Sequence, residues 1–435
     1  MKSGAFFPNR SLPTLYAMSA DDIPLYFDMD DLTDKQKADQ FEQNQLMAML
    51  QVSLLSISKP EDYVGMFDAF TEPPWQNFLV RHHELMSQVG VSMVPLEHTL
   101  YAPMDTFYET LAADLPPVEL VTFLMISRSN QVIHNDQAAI DRMLKLNSKF
   151  HFADNAPDFG IPVPDTIIAT QPLTDNAQVE SFFADHDNQI ILKMTGQPGA
   201  RNVKTVDSIG EAEEFLKDYR DDEPVLVQRR LPLDQYTEWT IDLLVTDTSI
   251  EVDNVRRILV ADGLWIGNHI PADIPLTTEQ KATLISVGEY VRSHGIGTSI
   301  GENIGIDYFI GPDEEIVVTE INPRWTAGLF PSEALKRTNR DARDAVAYFE
   351  LVRHDQYRDF LEFISERLPG QSSGDYSSGD YSIFPLGFSP FRLEIESEPH
   401  VYCWLIVMGD FPAYRNDATN LLGTGSLPNG RLIPL

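Results

Sequence analysis

Three oxygen ligands of the kind that hold hard metal ions stand close together in IGIDYFIGPDEEIVVTEINPR, residues 304–324. Asp307 lies in the first half of this stretch, and Glu320 and Asn322 lie in the second half, two residues apart. The apolar residues on either side predict two short strands, with Gly311-Pro312-Asp313 as the tight turn between them. Strand side chains alternate faces, so Glu320 and Asn322 point the same way. A hairpin of this length sets Asp307 roughly opposite Glu320. Such a face suits Mg²⁺, which prefers carboxylate, amide and phosphate oxygens. Acids beside a turn are more often simply solvated. Here the surrounding residues are apolar: Ile304, Ile306, Tyr308 and Ile310 form one face, and Ile316, Val317 and Val318 build the return strand. Polar groups set inside such strands need a partner.

Upstream, Lys193 ends the apolar run IILK and is followed by a loop carrying Gly196 and Gly199. A glycine loop lets backbone N–H groups approach a phosphate, and a lysine supplies a mobile point charge for its oxygens. The lysine precedes the glycines, so this is not the GxxxxGK[ST] loop. Alone, a strand-ending lysine before a turn is commonplace. The segment Gln228–Leu231 links two predicted strands, a common place for a flat heterocycle. Glu238 opens the second of these strands, where it could accept from ribose hydroxyls; by itself it reads better as a strand-edge acid. Arg256 and Arg257 are adjacent on a strand predicted over 251–260, so only one of them can face a cleft.

These residues need a scaffold of several units. At 435 residues the chain is too long for one ordinary core. Helices are predicted over 35–57, 78–88, 136–146 (with Asn135 as cap), 208–219, 278–293 and most of 339–363. Strands are predicted over 91–95, 120–125, 225–227, 384–393 and 401–408. Residues 372–381 hold the word SSGDY twice and read as a mobile loop or a linker. His82 and His83 are expected to be surface or packing residues.

The formal net charge is −34, with 66 acidic against 32 basic residues. That argues against nonspecific binding of nucleic acid and against docking on anionic membrane. No run approaches the roughly 18 apolar residues that a membrane span requires, and the N-terminus lacks the pattern of a signal peptide. Cys403 is the single cysteine, so neither a disulfide framework nor a thiolate zinc site is expected. A cytoplasmic location fits this usage. Cys403 lies in an apolar run and reads as core.

Taken together, Lys149, Lys193 with its glycine loop, the Gln228–Leu231 linker, Glu238 and the Asp307/Glu320/Asn322 set resemble the ATP-grasp superfamily over residues 130–345. The words GIPVPDT and EINPR are typical of it. The resemblance implies an α/β and α+β chain: a small α/β domain (1–130), an ATP-grasp small lobe (131–227), a large lobe with the metal site (228–360) and an additional C-terminal region (361–435). It implies that Lys149 and Lys193 contact the phosphates of ATP. Gln228, Arg229 and Leu231 would surround adenine, Glu238 would meet ribose, and Asp307, Glu320 and Asn322 would hold Mg²⁺, as two ions or with Mn²⁺ in its place.

The implied activity joins a carboxylate of an amino acid or small metabolite to an amine through an acyl phosphate. The implied partners are thus small molecules, and a homodimer is compatible with the chain. The rival readings are a carboxylate–thiol ligase and a nucleotide-binding regulatory protein with a degenerate site. One departure stands out. D-alanine–D-alanine ligases carry an arginine two residues before the first metal acid, and here that position is Gly305. The catalytic cation is therefore expected at Arg324, assisted by Arg256 or Arg257.

Overall fold

The structure is a computed structural model. It describes residues 13–27, 32–194, 203–217, 219–220, 222–261, 264–272, 276–337, 344–370, 379–391, 393–395 and 398–422. The glycine loop with Gly196 and Gly199, most of the SSGDY repeat and the tail from 423 lie outside these residues.

Three sheets succeed one another along the chain. The first is parallel, from β1 (Thr14–Tyr16), β2 (Tyr63–Phe67), β3 (Thr99–Ala102) and β4 (Leu120–Thr122), in the order β3-β2-β1-β4. The helix Asp34–Ile57 connects β1 to β2. Its first turn is closed by a capping box between Thr33 and Gln36. Its second half is buried on all sides, which explains the unusually broad apolar face from Met47 to Ile57.

The second sheet comprises β5 (Thr166–Ala169), β6 (Ile190–Lys193), β7 (Val203–Val206) and β8 (Val225–Arg229), antiparallel in the order β5-β8-β6-β7. One face packs on the helices Ala177–Asp185 and Ile209–Leu216 through Leu192, Val227, Phe183 and Leu216.

The third sheet has nine strands. They are β9 (Thr237–Val245), β10 (Ile250–Ala261), β11 (Leu264–Ile270), β12 (Glu302–Ile310), β13 (Ile316–Asn322), β14 (Ala345–Arg353), β15 (Tyr381–Phe388), β16 (Leu393–Ile395) and β17 (Glu398–Gly409). Their order is β13-β12-β9-β10-β11-β14-β17-β15, with β16 beside β17. One face of β9, β12 and β13 buries Ile241, Leu243, Ile304, Ile306, Tyr308 and Val318 against Leu284, Val287 and Tyr290 of the helix Thr278–Ser293. Gly288 allows the close approach, since a Cβ there would lie 2.7 Å from Ile250 Cγ2.

Several elements differ from expectation. Residues 345–353 form β14 rather than a helix; their apolar run is buried in the middle of a sheet, where period cannot separate strand from helix. No strand forms over 91–95, and the parallel sheet uses β2 and β3 instead. Asp136, not Asn135, caps the helix Gln137–Leu146, accepting from Ala139 N at 3.0 Å, while Asn135 takes a left-handed conformation. The C-terminal strands extend the sheet that carries the acidic hairpin. They also pack on the N-terminal unit: a Cβ on Gly387 of β15 would lie 2.3 Å from Met49 O of the helix Asp34–Ile57. Cys403 is buried in β17, as expected of a core residue. Among the described residues no helix is long and apolar enough to cross a membrane.

Candidate active site

β12 and β13 pair so that Asp307 stands opposite Glu320 and Gly305 opposite Asn322. The next pair is Tyr308 with Val318, which leaves Thr319 as an extra residue, a β-bulge. The bulge decides which way these side chains point. Val318 is buried in the core on one face, and strict alternation from it would bury Glu320 in the same core. The extra residue turns Glu320 and Asn322 to the opposite face, beside Asp307. Thr319 is itself used: Oγ1 donates to Asp307 O at 3.2 Å, and its carbonyl accepts from Lys193 Nζ at 3.2 Å.

Both lysines reach this face from outside the large sheet. In β6, Ile190 and Leu192 fill the small sheet's own core, so Lys193 alternates to the other side. Burial lowers its ammonium pKa to about 8, with Glu320 acting in the opposite sense. Lys149 opens the helix Lys149–Asn155, whose cap is Ser148 Oγ accepting from His151 N at 3.2 Å. Its Nζ lies 3.2 Å from Glu320 Oε2.

The acids are unequally served. Burial first, and the Glu320 charge second, push the Asp307 carboxyl up to about 6. Burial acts on Glu320 in the same sense, but Lys149 and Lys193 outweigh it and hold that carboxyl below its ordinary value. Glu238, on the same side of the sheet, is pushed up to about 7 by burial and by Asp307. Asn322 Nδ2 donates to Asp307 Oδ2 at 3.2 Å. Among the described residues no three His, Cys, Asp or Glu side chains close on one point. The hairpin thus offers two carboxylates and one amide. This donor set fits Mg²⁺, because all its members are hard oxygen ligands and burial and the Glu320 charge drive one carboxyl toward protonation.

Arg324 lies two residues beyond Asn322. Its charge lowers the pKa of both Asp307 and Glu320, and its Nη1 donates to Trp325 O at 3.1 Å. Gln228 is buried on the same face of the small sheet as Lys193, and its Nε2 donates to Thr166 Oγ1 at 3.0 Å. Leu231 is buried just beyond it. Arg229 alternates to the opposite side and is exposed, so its side chain is not brought to this group.

The two adjacent arginines do part. Arg257 pairs across the sheet with Trp239, which packs on the core helix side, and it acts on His269. It is not at the cleft. Arg256 shares the face of Asp307 but is wholly enclosed and ion-paired with Asp242. Sequence reasoning overlooked Thr319, Thr240, Asp242 and Thr326. For β9 a signal was present: Glu238, Thr240 and Asp242 alternate with Trp239, Ile241 and Leu243.

By sequence, the chain matches no family model and no curated protein. Solved structures do resemble it over almost its whole length. N5-carboxyaminoimidazole synthetase from Staphylococcus aureus superposes with a TM-score of 0.55 at 12% identity, covering 97% of this chain and 100% of that one. The synthase from Aspergillus clavatus, in complex with ADP and 5-aminoimidazole ribonucleotide, gives 0.55 at 10% identity, covering 94% and 97%. Phosphoribosylamine–glycine ligase from Thermotoga maritima gives 0.53 at 12% identity, covering 94% and 96%. The chain has the ATP-grasp fold. The small antiparallel sheet brings Lys193 onto the face of the large sheet that carries Glu238, Asp307, Glu320 and Asn322, with Gln228 on the same side of the small sheet.

Proposed function

We propose that this ATP-grasp chain is an ATP-dependent ligase that joins a carboxylate to an amine through an acyl phosphate and releases ADP and phosphate. The observation that carries the reading is the meeting of Asp307 and Glu320, opposite in register, with Lys149 and Lys193 from separate elements. The lysines serve Glu320 and leave the Asp307 carboxyl raised beside it; a metal–polyphosphate would bring a cation to the carboxylates and an anion to the lysines.

Mg²⁺ on Asp307, Glu320 and Asn322 would neutralise phosphate charge. The chain's own groups do the rest. Lys149 and Lys193 take the phosphate oxygens, Lys149 exchanging Glu320 for them. Gln228 and Leu231 line the adenine end, and Glu238 takes the ribose. A substrate carboxylate oxygen attacks the terminal phosphorus and ADP leaves. The amine nitrogen then attacks the acyl carbon, phosphate leaves, and the nitrogen loses a proton. Arg324, whose planar fork suits a carboxylate or a phosphate, holds the charge that develops. It is the catalytic cation of this reading; Arg256 and Arg257 are not.

The carboxylate and the amine are small molecules. The names of the similar structures add aminoimidazole ribonucleotide and phosphoribosylamine to the amino acids as amines to try. The test is a phosphate-release screen of carboxylates, bicarbonate included, against amines with Mg–ATP. Release that requires both a carboxylate and an amine supports the ligase. Tight nucleotide binding with no turnover across the panel favours a regulatory protein with a degenerate site.

A further inference from the structure

Beside Asp307, the same face of the large sheet holds a second polar group, whose two charged members have no exposed surface. Asp242 of β9 and Arg256 of β10 are both fully buried, and Arg256 Nη1 donates to Asp242 Oδ2 at 2.5 Å. Thr326 closes the triangle. Its Oγ1 donates to Asp242 Oδ1 at 2.9 Å and accepts from Arg256 Nη2 at 3.3 Å. Two glycines make the room. A Cβ on Gly305 would lie 2.1 Å from Thr326 Cγ2, and one on Gly328 would lie 2.4 Å from Arg256 Nε.

Thr326 is the member that matters for function, because of where it sits in the chain. It belongs to the irregular segment 323–328, between the end of β13 at Asn322 and the helix Leu329–Arg337. That segment carries Arg324. Its other large anchor is Trp325, which packs on Tyr16 of the N-terminal sheet with ring centroids 5.7 Å apart. Asn322 is the last residue of its strand, so the path of segment 323–328 sets its position. Taking two charges out of water is costly, and apolar residues of similar volume would stabilise a sheet face as well. A buried ion pair that grips a loop by a threonine fixes position instead.

We propose that Asp242, Arg256 and Thr326 are positioning residues, a buried lock that pins residues 322–328 to the sheet and so places Asn322 and Arg324 for metal–nucleotide binding. The inference rests on the ligase reading for what is bound. It differs from that reading in making Arg256 a support that touches no substrate.

The test is ADP affinity of the full chain, measured calorimetrically with and without Mn²⁺, with the Mn²⁺ spin-resonance spectrum as a second readout. In the unsubstituted chain, Mn²⁺ should tighten ADP binding. Thr326→Val keeps the shape and removes the hydroxyl; it should cut that tightening about tenfold, equivalent to about 1.4 kcal/mol, and broaden the spectrum. Metal-free ADP affinity should stay within about twofold. Thr326→Ser should restore the tightening. Gly305→Ala, which displaces the Thr326 methyl without removing a polar atom, should reproduce the loss by a second route.

An unchanged Mn²⁺ effect in both Thr326→Val and Gly305→Ala overturns the lock. So does an equal loss of affinity with and without metal, the mark of general destabilisation. If Mn²⁺ does not tighten ADP binding in the unsubstituted chain, the metal-nucleotide site itself is wrong, and the lock's role falls with it.

Discussion

Two acidic groups on the same nine-stranded sheet, one buried and one half-buried, behave differently. On β14, Glu350 Oε2 accepts from Arg415 Nη1 at 2.9 Å, from Tyr414 Oη at 2.9 Å and from Tyr348 Oη at 3.2 Å. One carboxylate there has a full cation and two phenols, all from its own chain. On β12 and β13, Asp307 and Glu320 share a face, the lysines favour Glu320, and the Asp307 carboxyl rises to about 6. The first arrangement draws its cation and donors from within the chain and fastens the C-terminal helix Phe411–Leu422 to the sheet. The second serves its two carboxyls unequally, and in the proposed reading a metal–nucleotide would complete it. Burial alone does not mark a site; an unbalanced set of buried charges facing a cleft does.

The contrast can be broken by substitution at either end. Arg415→Met leaves Glu350 buried without its cation and should cost about 3–5 kcal/mol of stability. Chemical denaturation would read this, while Mn²⁺-dependent ADP affinity at temperatures where the variant is folded should not move. Glu320→Gln should act chiefly on the nucleotide site. Metal-dependent nucleotide affinity and turnover should fall at least about a hundredfold. The melting temperature should fall modestly, because Lys149 and Lys193 lose the carboxylate they share, so affinity is read where the variant is folded; unchanged affinity there would dissolve the metal assignment.

The smallest effect is on pH. Asp307 at about 6 and Glu238 at about 7 lie above their ordinary values. Between about pH 4 and 7 the folded chain therefore binds more protons than the unfolded one, and the stability of the unliganded protein falls as pH rises through that window. A divalent ion competes with the same protons. Mn²⁺-dependent ADP affinity should rise several-fold from pH 5 to pH 8. A pH-independent affinity would mean that these carboxyls do not face the ion.

Much of the site was legible because its chemistry is local. Asp307, Glu320 and Asn322 sit on one hairpin, and a turn of Gly311-Pro312-Asp313 between apolar strands dictates its register to within a residue. Lys193 ends a run whose alternate residues are apolar, so the side it faces is set by its own strand. The helices Asp34–Ile57 and Thr278–Ser293 announce themselves by length and apolar content.

What tertiary structure alone decided lies in contacts between strands distant in sequence. The bulge at Thr319 turns Glu320 out of the core, and no local pattern marks it, because bulges depend on the partner strand. Arg256 and Arg257 look alike in the sequence; pairing with β9 encloses one with Asp242 and sends the other to the far face. Gly305 reads as a missing arginine until Thr326 is seen filling its space from 21 residues away in the chain. Strand β14 could pass for a helix because a strand buried on both faces has no period to read. Residue type and short-range spacing state which chemistry is available. Which charges are left unbalanced, and which are locked away, depends on the packing of strands that meet only once the sheet has formed.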